Sequence, residues 1–181
     1  MTHSYLKEIE QELAYGAEKK EHPFHYFTLG TVGLERISRL RTVVLRGVED
    51  DNTLIFYTDA RSKKTIHILE NNMVGLLFFH PEKLLQVRIE GLAFIHKDEK
   101  TLKKYWNKIH AKARKEYSTA AAPGTAMEHP DQLEYLNEEN HFCIISVVPY
   151  RIEYLKLQAP NHIRVLFSRD EDLWTSEYLV P

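Results

Sequence analysis

Short runs of Val, Ile, Leu, Phe and Thr, broken by turn-forming residues, fill most of residues 24–96 and recur near the C-terminus. FHYFTLGTV at 24–32, RLRTVVLR at 39–46, TLIFYT at 53–58, MVGLLFF at 73–79 and LLQVRIEGLAFI at 84–95 each read as a strand. Polar VEDDN before the third of these is a hairpin turn signal, and HPEK joins the fourth to the fifth. The C-terminal third adds FCIISVVP, RIEYLKL, IRVLFS and LWTSEYLVP. Helical patterns are few and do not alternate with the strands, which disfavours a doubly wound parallel sheet. The expectation is a mainly β fold, an antiparallel β-barrel closed on itself with peripheral helices.

Three segments carry helical spacing. Within the N-terminal segment 1–22, Leu6, Ile9, Leu13 and Ala17 share one face of a helix over 4–20, with Ser4 as a cap and His22-Pro23 as its stop. Ser62 to Asn72 reads as a short helix. Leu102, Tyr105, Trp106, Ile109 and Ala113 predict a second long helix over 98–117, followed by the irregular small-residue loop STAAAPGTAMEHP. The lysines of 98–117 interleave with Tyr105 and Trp106, but they lie opposite the apolar stripe, as on a solvated amphipathic helix. At 181 residues, with no internal repeat, the chain is expected to form a single domain over 1–181.

Composition narrows the function classes. A net charge of −2 gives no global field toward nucleic acid or an anionic membrane. The N-terminus is charged, and no apolar run approaches the ~20 residues of a membrane span. The single cysteine, Cys143, lies in FCIISVV and reads as a buried thiol in a reducing compartment, hence a cytoplasmic protein. The histidines are scattered without HxxxH spacing or a cysteine partner, so no metal is expected.

Two stretches carry chemistry: RTVVLR at 41–46 and FYTDARSKK at 56–64. In a regular strand, residues five apart point to opposite faces, so Arg41 and Arg46 are not expected to serve one ligand atom together. Ser62 is suited to the N-cap of the following helix, and Lys63 and Lys64 sit in its first turn. Cations there are mildly unfavourable unless an anion binds. The plain alternative is a core strand with solvated arginines at its ends and an ordinary basic helix start. Gln86 and Arg88 flank Val87 and place two polar side chains on one face of an apolar strand.

The ordered set RTVVLR, FYTDARSKK, ENNMVGLLF and QVRIEG resembles the pyridoxamine 5′-phosphate oxidase-like FMN-binding split barrels over about residues 24–96. The likeness resumes at PYRIEYLKL and from Trp174 to the terminal Leu-Val-Pro. The resemblance implies an FMN-binding split β-barrel flavoprotein, a homodimer with its flavin site at the interface, and a small-molecule substrate. It implies FMN phosphate contacts from Arg41, Ser62, Lys63 and Lys64, and main-chain contacts to the ring edge from Thr42, Val43 and Val44. Tyr57 and Thr58 would meet the phosphate–ribityl side, and Gln86 the polar edge of the ring.

Flavin-dependent oxidoreductase chemistry is then the expected function, with Arg46, Arg88 and Arg164 as substrate-side cations and no catalytic side chain assigned. A non-catalytic binder or sensor of FMN, or of another planar cofactor such as haem, is the alternative. The second half departs from the vitamin B6 oxidase pattern. Leu155 occupies the tryptophan position of the IEFW-like strand, and His162 and Arg164 do not form R-x-H-x-R.

Overall fold

The computed structural model describes residues 2–137, 140–171 and 173–181; Met1, where the expected N-terminal segment begins, lies outside them. Among the described residues, nine strands form one antiparallel sheet: β1 (Tyr26–Val32), β2 (Ser38–Val44), β3 (Gly47–Val48), β4 (Leu54–Asp59), β5 (Met73–His80), β6 (Leu85–His96), β7 (Phe142–Lys156), β8 (Ile163–Asp170) and β9 (Leu173–Tyr178). Their order is β2-β1-β5-β6-β7-β4-β3, with β8 on β7 and β9 on β8. The two ends of this path, β2 and β3, are separated in the chain by only Leu45 and Arg46. The Leu45 amide donates to the His25 carbonyl (2.9 Å) and the Arg46 amide to the Ile55 carbonyl (2.8 Å). One kinked segment thus belongs to both ends, and the sheet curls into the expected mainly β split barrel. The VEDDN turn closes a hairpin between the short β3 and β4, while β2 pairs with β1.

FCIISVVP and RIEYLKL are one 15-residue strand rather than two. Its first half pairs with β4 and its second with β8, while β6 runs along both. The β6–β7 register shifts between Glu90 and Gly91: Glu90 faces Arg151 and Gly91 faces Pro149. The bulge leaves Tyr150 as the extra residue and accommodates a proline that a regular central ladder would reject.

The expected helix over 98–117 is broken. It comprises α3 (Glu99–Trp106), α4 (Ala111–Arg114) and a 3-10 turn at Lys115–Tyr117. Asp98 caps α3 by accepting the Thr101 amide at 2.7 Å, and His110 caps α4 by accepting the Lys112 amide. Packing explains the break. Trp106 and Tyr117 both contact Phe142, at 5.4 and 5.2 Å between ring centroids. On one straight helix they would stand about 16 Å apart along the axis.

Thr2 stands at the N-cap position of the N-terminal helix α1 (His3–Glu18) without a side-chain capping bond, two residues before Ser4, which lies inside the helix. It buries Leu6, Ile9 and Leu13 against the barrel. A Cβ on Gly16 would lie 2.7 Å from the Phe24 backbone, so glycine permits the close approach of helix and turn. Phe24, Phe27, Phe56 and Phe78 are enclosed in the core, with Phe27 stacked on Phe78 at 4.9 Å. Truncating any of these to alanine is worth roughly 3–5 kcal/mol. The short helix α2 (Lys63–Glu70) follows β4.

Among the scattered histidines, His22 and His80 converge on the buried Glu12 of α1. Their Nε2 atoms lie 3.2 and 3.8 Å from Glu12 Oε2, and Lys83 pairs with Oε1. Each ring accepts a backbone amide at Nδ1, from Phe24 and Lys83 respectively, which puts the neutral imidazole proton on Nε2. That tautomer presents an N–H to the carboxylate rather than a lone pair to a metal.

Burial holds His22 below the ordinary imidazole range, with Glu12 opposing the shift. The unfolded chain therefore binds more protons than the folded one as pH falls below about 6.5, and the stability from neutral His22 is full above that value and lost on acidification. H22N keeps an acceptor for the Phe24 amide and removes the titration. Its melting temperature is expected to fall less steeply than wild type on acidification below about 6.5; an unchanged slope would contradict this assignment.

Candidate functional site

The kink that closes the barrel also builds a cavity. Because Leu45 and Arg46 leave the β2 ladder, regular alternation stops at Val44. Arg46 lines the same cavity as Arg41 but at its far side, beside Tyr57, so the two arginines share the cavity without meeting at one ligand atom. The cavity, about 430 Å³, is lined by Arg41 to Val44 and Arg46 from this segment, Tyr57, Thr58 and Asp59 from β4, Lys64 from α2, and Glu116, Tyr117 and Pro123 from the later loop. Beyond β1, β2 has no second strand partner among the described residues, so its outer backbone edge at Thr42–Val44 is available for hydrogen bonding.

The cationic end is built from hydroxyls and two partly buried bases. Lys64 Nζ donates to Thr58 Oγ1 at 2.9 Å. Thr58 and Ser62 hydroxyls lie 3.3 Å apart, and Ser62 lies 3.0 Å from the Thr65 hydroxyl, which donates to the Asp59 carbonyl. Arg41 Nη1 donates to Thr31 Oγ1 (2.7 Å) and to the Leu29 carbonyl (3.3 Å). Burial lowers the pKa of both bases, and Arg41 lowers that of Lys64 further, partly offset by Asp59 and Cys143.

The nearby carboxylate relieves this crowding only in part. Asp59 binds Arg61 through both oxygens, at 2.7 and 3.1 Å, and accepts the Arg61 amide as well. Arg41 and Lys64 make no ion pair among the described residues. On the far side, the Arg46 guanidinium lies 5.6 Å from the Tyr57 ring centroid, and burial first of all pushes the Tyr57 phenol up to about 12. Cys143 is buried behind β4, and burial raises its thiol to about 11, which makes it inert.

Of the residues singled out from sequence, Arg41, Thr42, Val43, Val44, Arg46, Tyr57, Thr58 and Lys64 come together in this cavity. Ser62 stands at the N-cap of α2, but its side chain makes no capping bond and instead supports Thr58 from below. Lys63 is exposed at the helix start, outside the cavity lining. Gln86 lies on β6 with Arg88, away from the cavity, on the outer sheet face beside Leu77 and Phe79. Arg88 and Arg164 both bind the buried Glu153, at 2.8 and 3.0 Å, and are remote from Arg46 in the fold.

Sequence reasoning missed Asp59, Arg61, Glu116, Tyr117 and Pro123. Asp59 was legible in principle, since Asp-Ala-Arg after a strand is the pattern of an Asx turn.

A family model for the pyridoxamine 5′-phosphate oxidase FMN-binding domain matches residues 2–97. The chain belongs to this family. Its cofactor is FMN. The pyridoxine/pyridoxamine 5′-phosphate oxidase of Leptospira interrogans is 31% identical over 159 residues, spanning 79% of this chain and 72% of that protein. The crystal structure of a pyridoxamine 5′-phosphate oxidase-related, FMN-binding protein from Nostoc punctiforme superposes with a TM-score of 0.79 at 24% identity, over 97% of this chain and 96% of that one. PhzG from Burkholderia lata, solved with tetrahydrophenazine-1-carboxylic acid, gives 0.80 at 18% identity, over 97% and 92%. At such identities these two likenesses carry the split-barrel fold.

The donor set of the cavity fits FMN. A guanidinium, an ammonium and a hydroxyl suit a phosphate, and a free strand edge suits the hydrogen-bonding rim of a flat heterocycle. Charge-assisted hydrogen bonds are worth about 1.5–3 kcal/mol each. K64A is therefore expected to weaken FMN binding about 10- to 100-fold in a fluorescence titration, and K63A to leave it within about twofold. Equal losses at the two positions would contradict the geometry.

Proposed function

We propose that the protein is an FMN-dependent oxidoreductase of a small-molecule substrate, working as a homodimer in a reducing, cytoplasmic setting. The observation that carries this reading is the gathering of Arg41, Thr58 and Lys64 at one end of a cavity whose wall is a free strand edge. In this reading Arg41, Lys64 and Thr58 hold the phosphate, Ser62 backs Thr58, and Lys63 adds only a distant charge. Main-chain groups of Thr42, Val43 and Val44 orient the ring, and Tyr57 flanks the ribityl side. Bound FMN supplies the hydride or oxygen chemistry, while the protein supplies orientation and electrostatics. Arg46, inside the cavity, is the substrate-side cation best placed to meet an anionic group. Arg88 and Arg164 share one carboxylate and together retain a single net positive charge.

The homodimer reading is supported by the outer face of β2, β1, β5 and β6. Leu40, Met73, Leu77 and Phe79 are exposed there, around a groove of about 380 Å³. A contiguous apolar face of this kind is unusual on a monomer. Gln86 and Arg88 lie on the same face, so a second copy covering it would bring them toward a cofactor cavity across the interface. Sedimentation is expected to give twice the chain mass, and L77K to shift it toward one chain mass; a wild-type monomer would contradict the reading.

Turnover is tested by anaerobic stopped-flow on the FMN-loaded protein. Saturable bleaching of the oxidised flavin band by a small-molecule donor, faster than with free FMN, is expected. Because the R-x-H-x-R pattern is absent, pyridoxamine 5′-phosphate is expected to be a poor donor. Bleaching no faster than free FMN with pyridoxamine 5′-phosphate, pyridoxine 5′-phosphate and reduced nicotinamide cofactor alike would favour a non-catalytic binder.

A further inference from the structure

Arg61 lies in the turn between β4 and α2, next to the groups that line the cationic end of the cavity. Its Nε and Nη2 bind the two oxygens of the buried Asp59. The remaining donors reach across to another part of the chain: Nη2 to the Thr119 carbonyl at 2.8 Å and Nη1 to the Ala120 carbonyl at 2.9 Å. These residues begin a strap, 118–136, whose stem is closed by the Thr119–Tyr135 bridge. The Leu136 amide donates to the Ser118 carbonyl (2.7 Å) and the Ala120 amide to the Glu134 carbonyl (2.9 Å). Three residues beyond Ala120 stands Pro123, which forms part of the cavity wall with Glu116 and Tyr117.

We propose that Arg61 is a positioning residue that clamps the strap as a wall of the cofactor cavity, so that access to the cavity is governed from the phosphate-side turn. The proposal rests on the reading of this cavity as the FMN site. The physical basis is the planar guanidinium fork. It satisfies a carboxylate on one side and two carbonyls on the other at once, which a lysine ammonium cannot do in one plane. Asp59 is buried and already committed to Arg61, so the fork is fixed in direction. The strap's stem is a short closure made by those two backbone bonds, from Leu136 to Ser118 and from Ala120 to Glu134. Arg61 braces it against the turn after β4 by holding the Thr119 and Ala120 carbonyls, beside the Tyr117 carbonyl, which accepts the His141 amide at 2.7 Å.

The test uses the full chain as R61K and R61A with FMN as the probe. In FMN-free protein, hydrogen exchange at the Ala120 and Leu136 amides is expected to quicken about tenfold in R61K, as for the loss of one charge-assisted hydrogen bond. In stopped-flow mixing with FMN, the association and dissociation rate constants are expected to rise together, with the equilibrium affinity changed by less than about threefold, the signature of an opened gate. K64A, by contrast, is expected to raise dissociation alone. Unchanged strap exchange in a folded R61K or R61A protein overturns the clamp. Faster exchange with unaltered FMN rate constants overturns its control of access. R61K retains the charge beside Asp59 and serves if R61A does not fold. Should the wild type fail to bind FMN, the cofactor reading falls, while the exchange measurement still decides whether Arg61 holds the strap.

Discussion

Two residues, Leu45 and Arg46, hold the architecture and the site together. The segment 38–48 pairs with β1 at one end and with β4 at the other, and the chain changes partner at this kink. Leu45 is fully enclosed, while its amide bonds back to His25. A straight strand would leave the sheet open and carry Arg46 away from Arg41. The kink instead closes the barrel and gathers both arginines at its mouth, beside Thr58 and Lys64.

The electrostatics of that mouth follow from how the carboxylate beside Lys64, Asp59, is used. Asp59 is buried and could have neutralised Lys64. It is committed to Arg61 through both oxygens, so its influence on Lys64 is a modest through-space one. Arg41 and Lys64 are left partly desolvated, close together, and bonded to neutral oxygens. The two cations disfavour each other, an anion between them would stabilise both, and the family's cofactor brings a phosphate. Folding thus stores two unfavourable placements in a framework whose stability comes from the aromatic core and the packing of α1 against the barrel.

Much of this was legible in the sequence, and the failures have physical causes. Alternating apolar runs with hairpin signals located the strands and the mainly β class to within a few residues. Strand parity kept Arg41 and Arg46 from one ligand atom, but it assumes an uninterrupted ladder and so did not show that the kink brings both to one cavity. Lys63 and Lys64 looked equivalent as neighbours, yet about 100° of helical rotation separates them, and only Lys64 turns inward. The 98–117 helix had the right periodicity, but aromatic packing around Phe142 outweighed helix continuity. The Glu12–His22–His80 cluster joins residues far apart in sequence, which no local spacing encodes. The reach of Arg61 to the strap escaped notice because, beyond its neighbour Asp59, its partners are carbonyl groups of a loop, and carbonyl groups carry no residue signature.

The central claim is that the phosphate end of FMN is held by Arg41, Thr58 and Lys64. Parallel calorimetric titrations of the cofactor-free protein with FMN and with riboflavin, which lacks the phosphate, test it most directly. Two charge-assisted contacts at about 1.5–3 kcal/mol each predict that riboflavin binds at least about 100-fold more weakly. Equal affinity for the two flavins would contradict the account.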